Sequence, residues 1–400
     1  MYTIADTEML VEEGVISRSA AGIIHSRARA TMVTMAINTL LCVGILAATF
    51  GLIFWLADPF AVAVSGALLV AAGVVTLRYG SDIYAMFGNA AALIGAGMLL
   101  GGAGFELVDK YEEIAGIVMT LGGLVAGAAA AWAFVTARLT TGFVTGAVML
   151  MAVALHLSGL GTLISDLDLS GLPVTVFWLY AAAVIAGAGW LTDVRFVSAL
   201  AIAPFAQALD TGTFYFHAAY VFYSPESTLS ILQMSGLIAL MLWLSKVSTE
   251  RTSRHARIHV MMGFVVANLC ALVGSLWGDT VGQTVWGPGQ NSWRSGMSYE
   301  AWSDAMTSFR ATALVISEHV YAVGWALALA AVIFVAAHRN MRGLFNAGVT
   351  FAGIHAYTQV FETFYDEPLA WVIGGFAAIP LAWGMWRLNL WFMARQAPPV

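Results

Sequence analysis

The sequence predicts an all-α, polytopic membrane protein: a bundle of about 12 transmembrane helices with both termini in the cytoplasm. Three observations predict it. Of 400 residues, 60% are hydrophobic and only 10% are charged, where a soluble domain carries about 25% charged residues. Apolar runs of spanning length recur from residue 32 to residue 386. The basic residues gather on one side of the bundle that those runs define.

The chain opens with a segment, 4–30, that reads as two short soluble helices, a cytoplasmic hairpin within residues 1–30. Leu10 and Val11 lead to Gly14, suited to the left-handed residue that ends a helix. Ser17 suits the N-cap of a second helix carrying Ala20, Ala21, Ile23 and Ile24, which Arg27 and Arg29 close just before the membrane. Asp6, Glu8, Glu12 and Glu13 are the wrong charge for a secretory n-region, so the first apolar run is expected to remain as a helix.

The bundle occupies 31–396. Its apolar runs are 32–57, 60–77, 83–105, 114–136, 141–164, 172–191, 196–220, 228–245, 258–277, 311–337, 343–363 and 369–386. Pro204 and Asp210-Thr211-Gly212 interrupt the seventh. With the N-terminus inside and strict alternation, only Lys110, Arg294 and Arg310 of the 17 Lys and Arg residues fall outside. A single missed helix would scramble that bias, so it supports the count as well as the orientation. One sizeable outer loop remains, 278–310, with Trp286, Trp293 and Trp302, a Gly287-Pro288-Gly289 turn and Ser298 placed to cap a short helix ending near Arg310. Tryptophans there, with Trp277, fit seating at the membrane interface; a lid or partner-docking surface is the alternative. Glycines four apart (Gly97 and Gly101, Gly123 and Gly127, Gly142 and Gly146) predict close helix packing.

No basic stretch suits nucleic acid. Cys42 and Cys270 lie in apolar runs without a CxxC partner, so neither a zinc site nor a disulfide framework is expected.

Ionisable groups at hydrocarbon depth are costly and mark function by default. The candidates are His156, Asp210, His217, Glu318, His319, His355 and Glu362. At 1.5 Å per residue, His156 and Asp210 lie roughly 21–22 Å from the inner end of their runs and His355 roughly 18 Å, while Glu318 lies roughly 10 Å below the outer end of its run. All therefore fall at the midplane or beyond it, and the inner half looks free of such groups. A polar cavity open to the outside is the expectation. Gln207, Asp210, Thr213 and His217 share one face of the seventh run; His355, Gln359, Glu362 and Asp366 share one face of the eleventh; Glu318, Tyr321 and Trp325 share one of the tenth. These faces are expected to turn towards one another. The plainer reading is that His and Gln bond neighbouring helices, at about 0.6 kcal/mol each, with Glu362 and Asp366 in the headgroup layer.

Several tempting motifs fail. Asp210-Thr211-Gly212 resembles an aspartic-protease triplet but has no second copy, and Leu276 spoils an intramembrane aspartyl-protease reading of Trp277-Gly278-Asp279. No phosphate loop, HExxH or GxSxG occurs. A b-type haem between His156 and His355 is conceivable from their depth alone; no cofactor is otherwise expected.

The stretch Leu10-Val11-Glu12-Glu13-Gly14-Val15-Ile16-Ser17 with Ala20, Ala21 and Ile24, and Arg342-Gly343-Leu344-Phe345-Asn346-Ala347-Gly348 with Tyr357, Phe361 and Gly374, resemble the two ends of bacterial membrane proteins of domain-of-unknown-function family 2157. The hairpin is also similar to short oligomerisation modules. The family resemblance implies a bacterial inner-membrane protein and no particular activity.

Three functions stay open: a proton- or ion-linked transporter with an outward-facing polar cavity, a non-catalytic scaffold or accessory subunit docking through 4–30 or 278–310, and an enzyme acting on a lipid or quinone. No enzymatic motif favours the third. Beyond a protein partner at either surface, the expected partner is the lipid bilayer.

Overall fold

The computed structural model describes residues 7–56, 58–80, 85–136, 142–209, 214–216, 221–223, 226–288, 297–339 and 341–364, with scattered helical residues between 368 and 387. Among the described residues, eight helices are long and apolar enough to cross a bilayer: Pro59–Tyr79, Gly88–Lys110, Glu112–Val135, Gly142–Asp166, Leu172–Thr192, Ser227–Val247, Glu250–Trp277 and Glu318–His338. The chain is a helical, multi-spanning membrane protein. It divides into two compact units, Met1–Leu167 and Asp168–Val400.

Unit 1 begins with α1 (Thr7–Glu12) and α2 (Arg18–Leu56). Gly14 takes the left-handed conformation, φ 71°, and Ser17 Oγ accepts from Ala20 N at 3.1 Å, so both signals that separate these helices act as the sequence suggests. The second helix does not close at Arg29, however. It runs unbroken for 39 residues into the first apolar run, because no Gly or Pro breaks the pattern there and the arginines are good helix formers. Next come α3 (Pro59–Tyr79), α4 (Ala85–Lys110), α5 (Glu112–Val135) and α6 (Gly142–Asp166). Asp58 caps α3, accepting from Phe60 N at 3.0 Å, with Pro59 pre-set for the first turn.

These four helices form two tight hairpins, α3 with α4 and α5 with α6. A Cβ on Gly66 would lie 2.7 Å from the Gly95 carbonyl oxygen, and one on Gly95 2.7 Å from that of Gly66. In the second hairpin, a Cβ on Gly123 would fall on the backbone of His156, and one on Gly159 on the backbone of Thr120. Only glycine permits such approach, and dispersion is the force left when lipid removes the hydrophobic drive. Ala92, Leu93 and Val144 form the core between α4 and α6.

Unit 2 starts with α7 (Leu172–Thr192). The run 196–220 is then no single helix. It forms α8 (Arg195–Leu200), α9 (Ile202–Gln207) and, further on, an antiparallel pair β1 (Phe214–Phe216) and β2 (Val221–Tyr223). Pro204 has no N–H for the helical bond back to residue 200, so the break falls at Ala201. Its broken backbone is sheltered by burial of Ser198, Ala199, Ala201, Ile202, Pro204, Ala206 and Ala208, the condition on which irregular backbone survives at membrane depth. Gln233 donates to the Phe205 carbonyl at 2.6 Å, satisfying an end of α9.

Then follow α10 (Ser227–Val247) and α11 (Glu250–Trp277), packed along their length. The segment after α11 is ordered by β3 (Asp279–Thr280), α12 (Gln283–Trp286), α13 (Tyr299–Thr312) and β4 (Val315–Ile316). β3 and β4 pair antiparallel, Asp279 opposite Ile316. Ser298 caps α13, accepting from Ala301 N at 3.2 Å. α14 spans Glu318–His338 and α15 spans Arg342–Phe364. The run 311–337 is therefore also corrected: its first residues end α13, and the spanning helix starts only at Glu318.

Candidate polar pathway of unit 2

α11 is the centre of unit 2, in contact with α10, α14, α8 and α15, and it carries polar groups from end to end. At its start, Asp193 in the α7–α8 turn joins α7 to α11. Arg254 donates to Asp193 Oδ2 at 2.9 Å, and His255 Nε2 lies 3.0 Å from Oδ1. Arg254 also bonds Glu250 at 3.2 Å. Arg251 donates to the Leu191 carbonyl at 2.6 Å and lies 4.8 Å from the Trp190 ring centroid. The hydrogen bond from His255, aided by the charges of Arg254 and Arg251, holds the Asp193 carboxyl below the usual carboxylate range. One turn further, His259 Nε2 lies 3.1 Å from Ser198 Oγ, both buried.

Midway, Trp325 of α14 donates its indole N–H to Asn268 Oδ1 at 2.8 Å. The His355 ring of α15 lies 4.6 Å from the Trp325 ring, and its Nδ1 is buried without a hydrogen-bond partner. At the far end, Asp279 Oδ2 accepts from Thr228 N at 2.8 Å, from Tyr321 OH at 3.1 Å and from the Thr228 hydroxyl. Glu226, 2% exposed, accepts from Gly282 N at 2.6 Å and Thr284 N at 2.9 Å. Arg310 of α13 donates to Gln283 at 3.3 Å. These bonds fasten β3, α12 and α13 to α10 and α14.

Helical geometry orders the groups. At about 100° per residue, His255 and His259 share one face of α11, Asn268 lies about 180° round from His259, and Ser275 stays within about 20° of Asn268, while Asp279 follows in β3, just past the helix end. One polar string thus faces α7 and α8, and a second, beginning deeper, faces α10 and α14.

The residues singled out from sequence are placed as follows. Asp210, His217 and Asp366 lie outside the described residues, as does the side chain of Glu362. Gln207 is the half-buried last residue of α9, and Gln359 is half-buried on α15. Glu318 stands at the first residue of α14, 46% exposed and 3.6 Å from the exposed His319, not 10 Å inside a helix. His355 meets Trp325 instead, so Glu318 and His355 have different neighbours. His156 belongs to unit 1, where it bonds the Thr120 carbonyl at 2.8 Å and ties α6 to α5. The face Glu318, Tyr321, Trp325 does turn inward at its last two members. The Asp193 end of unit 2 holds two buried ionisable groups that the sequence does not single out, His255 and His259. Starting the ninth run at residue 258 set His255 outside the membrane and His259 at its edge, and hid their spacing of four. Among the described residues, no three His, Cys, Asp or Glu side chains are grouped to hold a metal ion. An apolar crevice of about 420 Å³ lies in unit 1, lined by Gly97, Gly101, Gly104, Met119, Met151 and Leu155 among others, with no charged residue in its wall.

No family model, curated protein or solved structure matches the chain.

Proposed function

We propose that the protein is a proton- or ion-linked transporter of the bacterial inner membrane whose pathway runs through unit 2 along α11. The observation that carries this reading is the set of buried polar groups along α11: His255 and His259 bonded to Asp193 and Ser198 near its start, Asn268 bonded to Trp325 midway, and Asp279 bonded to Thr228 and Tyr321 just beyond its end. Polar groups at hydrocarbon depth are costly and line pathways.

Twelve crossings with both termini in the cytoplasm fit the same reading. The eight long apolar helices are joined in the count by α2, the α8–α9 segment, α15 and the run 369–386. Ser198 meets α11 one turn beyond His255, and Phe205 meets Gln233, roughly 21 Å along α10 from Val247. The α8–α9 segment thus climbs from the Asp193 level towards the Asp279 level. It replaces the seventh helix without reversing the alternation, and Arg251 and Arg254 stay on the cytoplasmic side.

The test is reconstitution of the purified protein into liposomes loaded with a pH-sensitive dye. An imposed pH gradient should collapse at least tenfold faster than in empty liposomes, alone or with a co-transported solute. Collapse at the empty-liposome rate under either gradient direction, across ions and small solutes, sinks the reading.

A second reading, a scaffold or accessory subunit, draws on α2. At 1.5 Å per residue its 39 residues extend about 58 Å, against a hydrocarbon core of about 30 Å. Its first turns stand clear of the membrane, where α1 packs back through Thr7 Oγ1 and His25 Nε2 at 2.6 Å. Deleting residues 1–17 should leave insertion intact and change oligomer size or captured partners; unchanged size and partners count against docking there.

A further inference from the structure

We propose that His255 is the station at which unit 2 takes up a proton at its Asp193 end, on ring nitrogen Nδ1. The proposal rests on the transport reading for its purpose and on local geometry for its site. The His255 side chain is only 4% exposed. Its Nε2 faces an ionised carboxylate oxygen at 3.0 Å. A carboxylate only accepts, so Nε2 bears the hydrogen and Nδ1 keeps its lone pair. That lone pair is buried with no hydrogen-bond partner. A buried acceptor left unmade is costly and uncommon; here the vacancy is a place for a proton.

A hydronium ion arriving from the Asp193 end gives a proton to Nδ1, the new N–H bond forming as one O–H bond breaks and water is left, and the resulting imidazolium lies directly against Asp193, so the pair becomes neutral overall. Release reverses the step, either to the same water or onward towards His259, one turn deeper and bonded to Ser198. No other bond forms or breaks.

The charges around His255 favour this function. From the α7–α8 turn comes Asp193, whose side chain is 44% exposed and so meets water, with Arg195 opening α8. From α11 itself come Arg254, on the other Asp193 oxygen, Arg251, with Nε 4.0 Å from Oδ1, Glu250 behind Arg254, and His259. From α10, packed alongside, comes Lys246 in its last turn. Arg254 and Arg251 oppose a further positive charge unless Asp193 holds it, which makes Asp193 the positioning residue.

The test is side-chain ¹⁵N spectroscopy of the full-length protein in lipid nanodiscs, with the His255 signals assigned through His255→Gln, beside proton flux in liposomes. The His255 ring should hold its hydrogen on Nε2 alone in basic buffer and convert reversibly to the doubly protonated form on acidification. Asp193→Asn should abolish that conversion over the same acidification and cut flux at least tenfold, and Asp193→Glu should restore both. A ring that stays in one neutral form throughout, or converts unaltered in Asp193→Asn, overturns the inference whether or not protons cross the membrane. A ring that converts as described in a protein with no flux upholds the site and removes the transport reading instead.

Discussion

Unit 1 and unit 2 hold their helices together by different means. In unit 1 the backbones touch: glycines on α3 and α4, and on α5 and α6, remove every atom that would keep the helices apart. Its one described buried histidine, His156, serves as a cross-link to a carbonyl. In unit 2 glycine gives one such close approach, Gly189 against the Ser198 backbone, and side chains do most of the joining. Asp193, Ser198, Asn268, Thr228, Asp279 and Tyr321 connect helices distant in sequence. Packing by glycine leaves few side chains between the helices, although unit 1 also buries polar atoms of Asn89 and Glu106. Packing by hydrogen bonds leaves groups that can exchange partners and protons, and the proposed pathway therefore runs through unit 2.

The largest effect that could break this comparison is steric. Gly123→Leu should destabilise the protein by about 3 kcal/mol or more, because the new side chain meets the backbone of His156, which cannot step aside. Gly236→Ala in unit 2 meets open space and should change stability by less than about 0.5 kcal/mol. Equilibrium unfolding in mixed detergent measures both; equal effects would erase the distinction.

Asp279→Ala comes next. It strands the Thr228 N–H and leaves the Thr228 and Tyr321 hydroxyls only each other as partners, and should cost about 2–3 kcal/mol, with faster proteolysis between β3 and α13. A protease-resistant variant of parental stability would show that the far cluster pins nothing. Smaller still, Trp325→Phe removes one indole bond to Asn268, which within a bilayer should cost about 0.6–1 kcal/mol in the same unfolding assay.

The acid response sharpens the picture at the other end. The Asp193 carboxyl is held below its ordinary 3.8, chiefly by the His255 hydrogen bond. A depressed carboxyl contributes stability that is complete above the unfolded value and is lost as pH falls through the folded one. Protonation of Asp193 itself should therefore leave the α7–α11 joint intact at neutral pH and release it only below 3.8. Fluorescence of Trp190, stacked on Arg251 at this joint, should report release there and be absent in Asp193→Asn.

Much of this was legible in the sequence. Apolar runs located six of the eight long helices to within about five residues at each end and misplaced the starts of α11 and α14; Gly14 and Ser17 marked the first turn, Ser298 marked α13, and the face of Tyr321 and Trp325 was correctly turned inward. What escaped has a common physical cause. Periodicity reports that a run is apolar, not whether it stays one helix, so Pro204 was seen as an interruption while the two short helices around it were not. Depth was counted from assumed ends, which buried Glu318 in a helix that it instead begins. The same counting placed His255 in water. Asp279 and Glu226 sat in segments read as loop, and nothing local in the sequence says that distant backbone N–H groups will converge on them.

The central claim is that histidine is structural in unit 1 and functional in unit 2. Proton flux through liposomes containing His156→Gln or His255→Gln, each matched for folded protein, tests it most directly. The account predicts that His156→Gln conducts within about twofold of the parent, having lost one helix cross-link worth about 0.6 kcal/mol, while His255→Gln falls at least tenfold. Equal losses in the two variants, or a loss confined to His156→Gln, would contradict it.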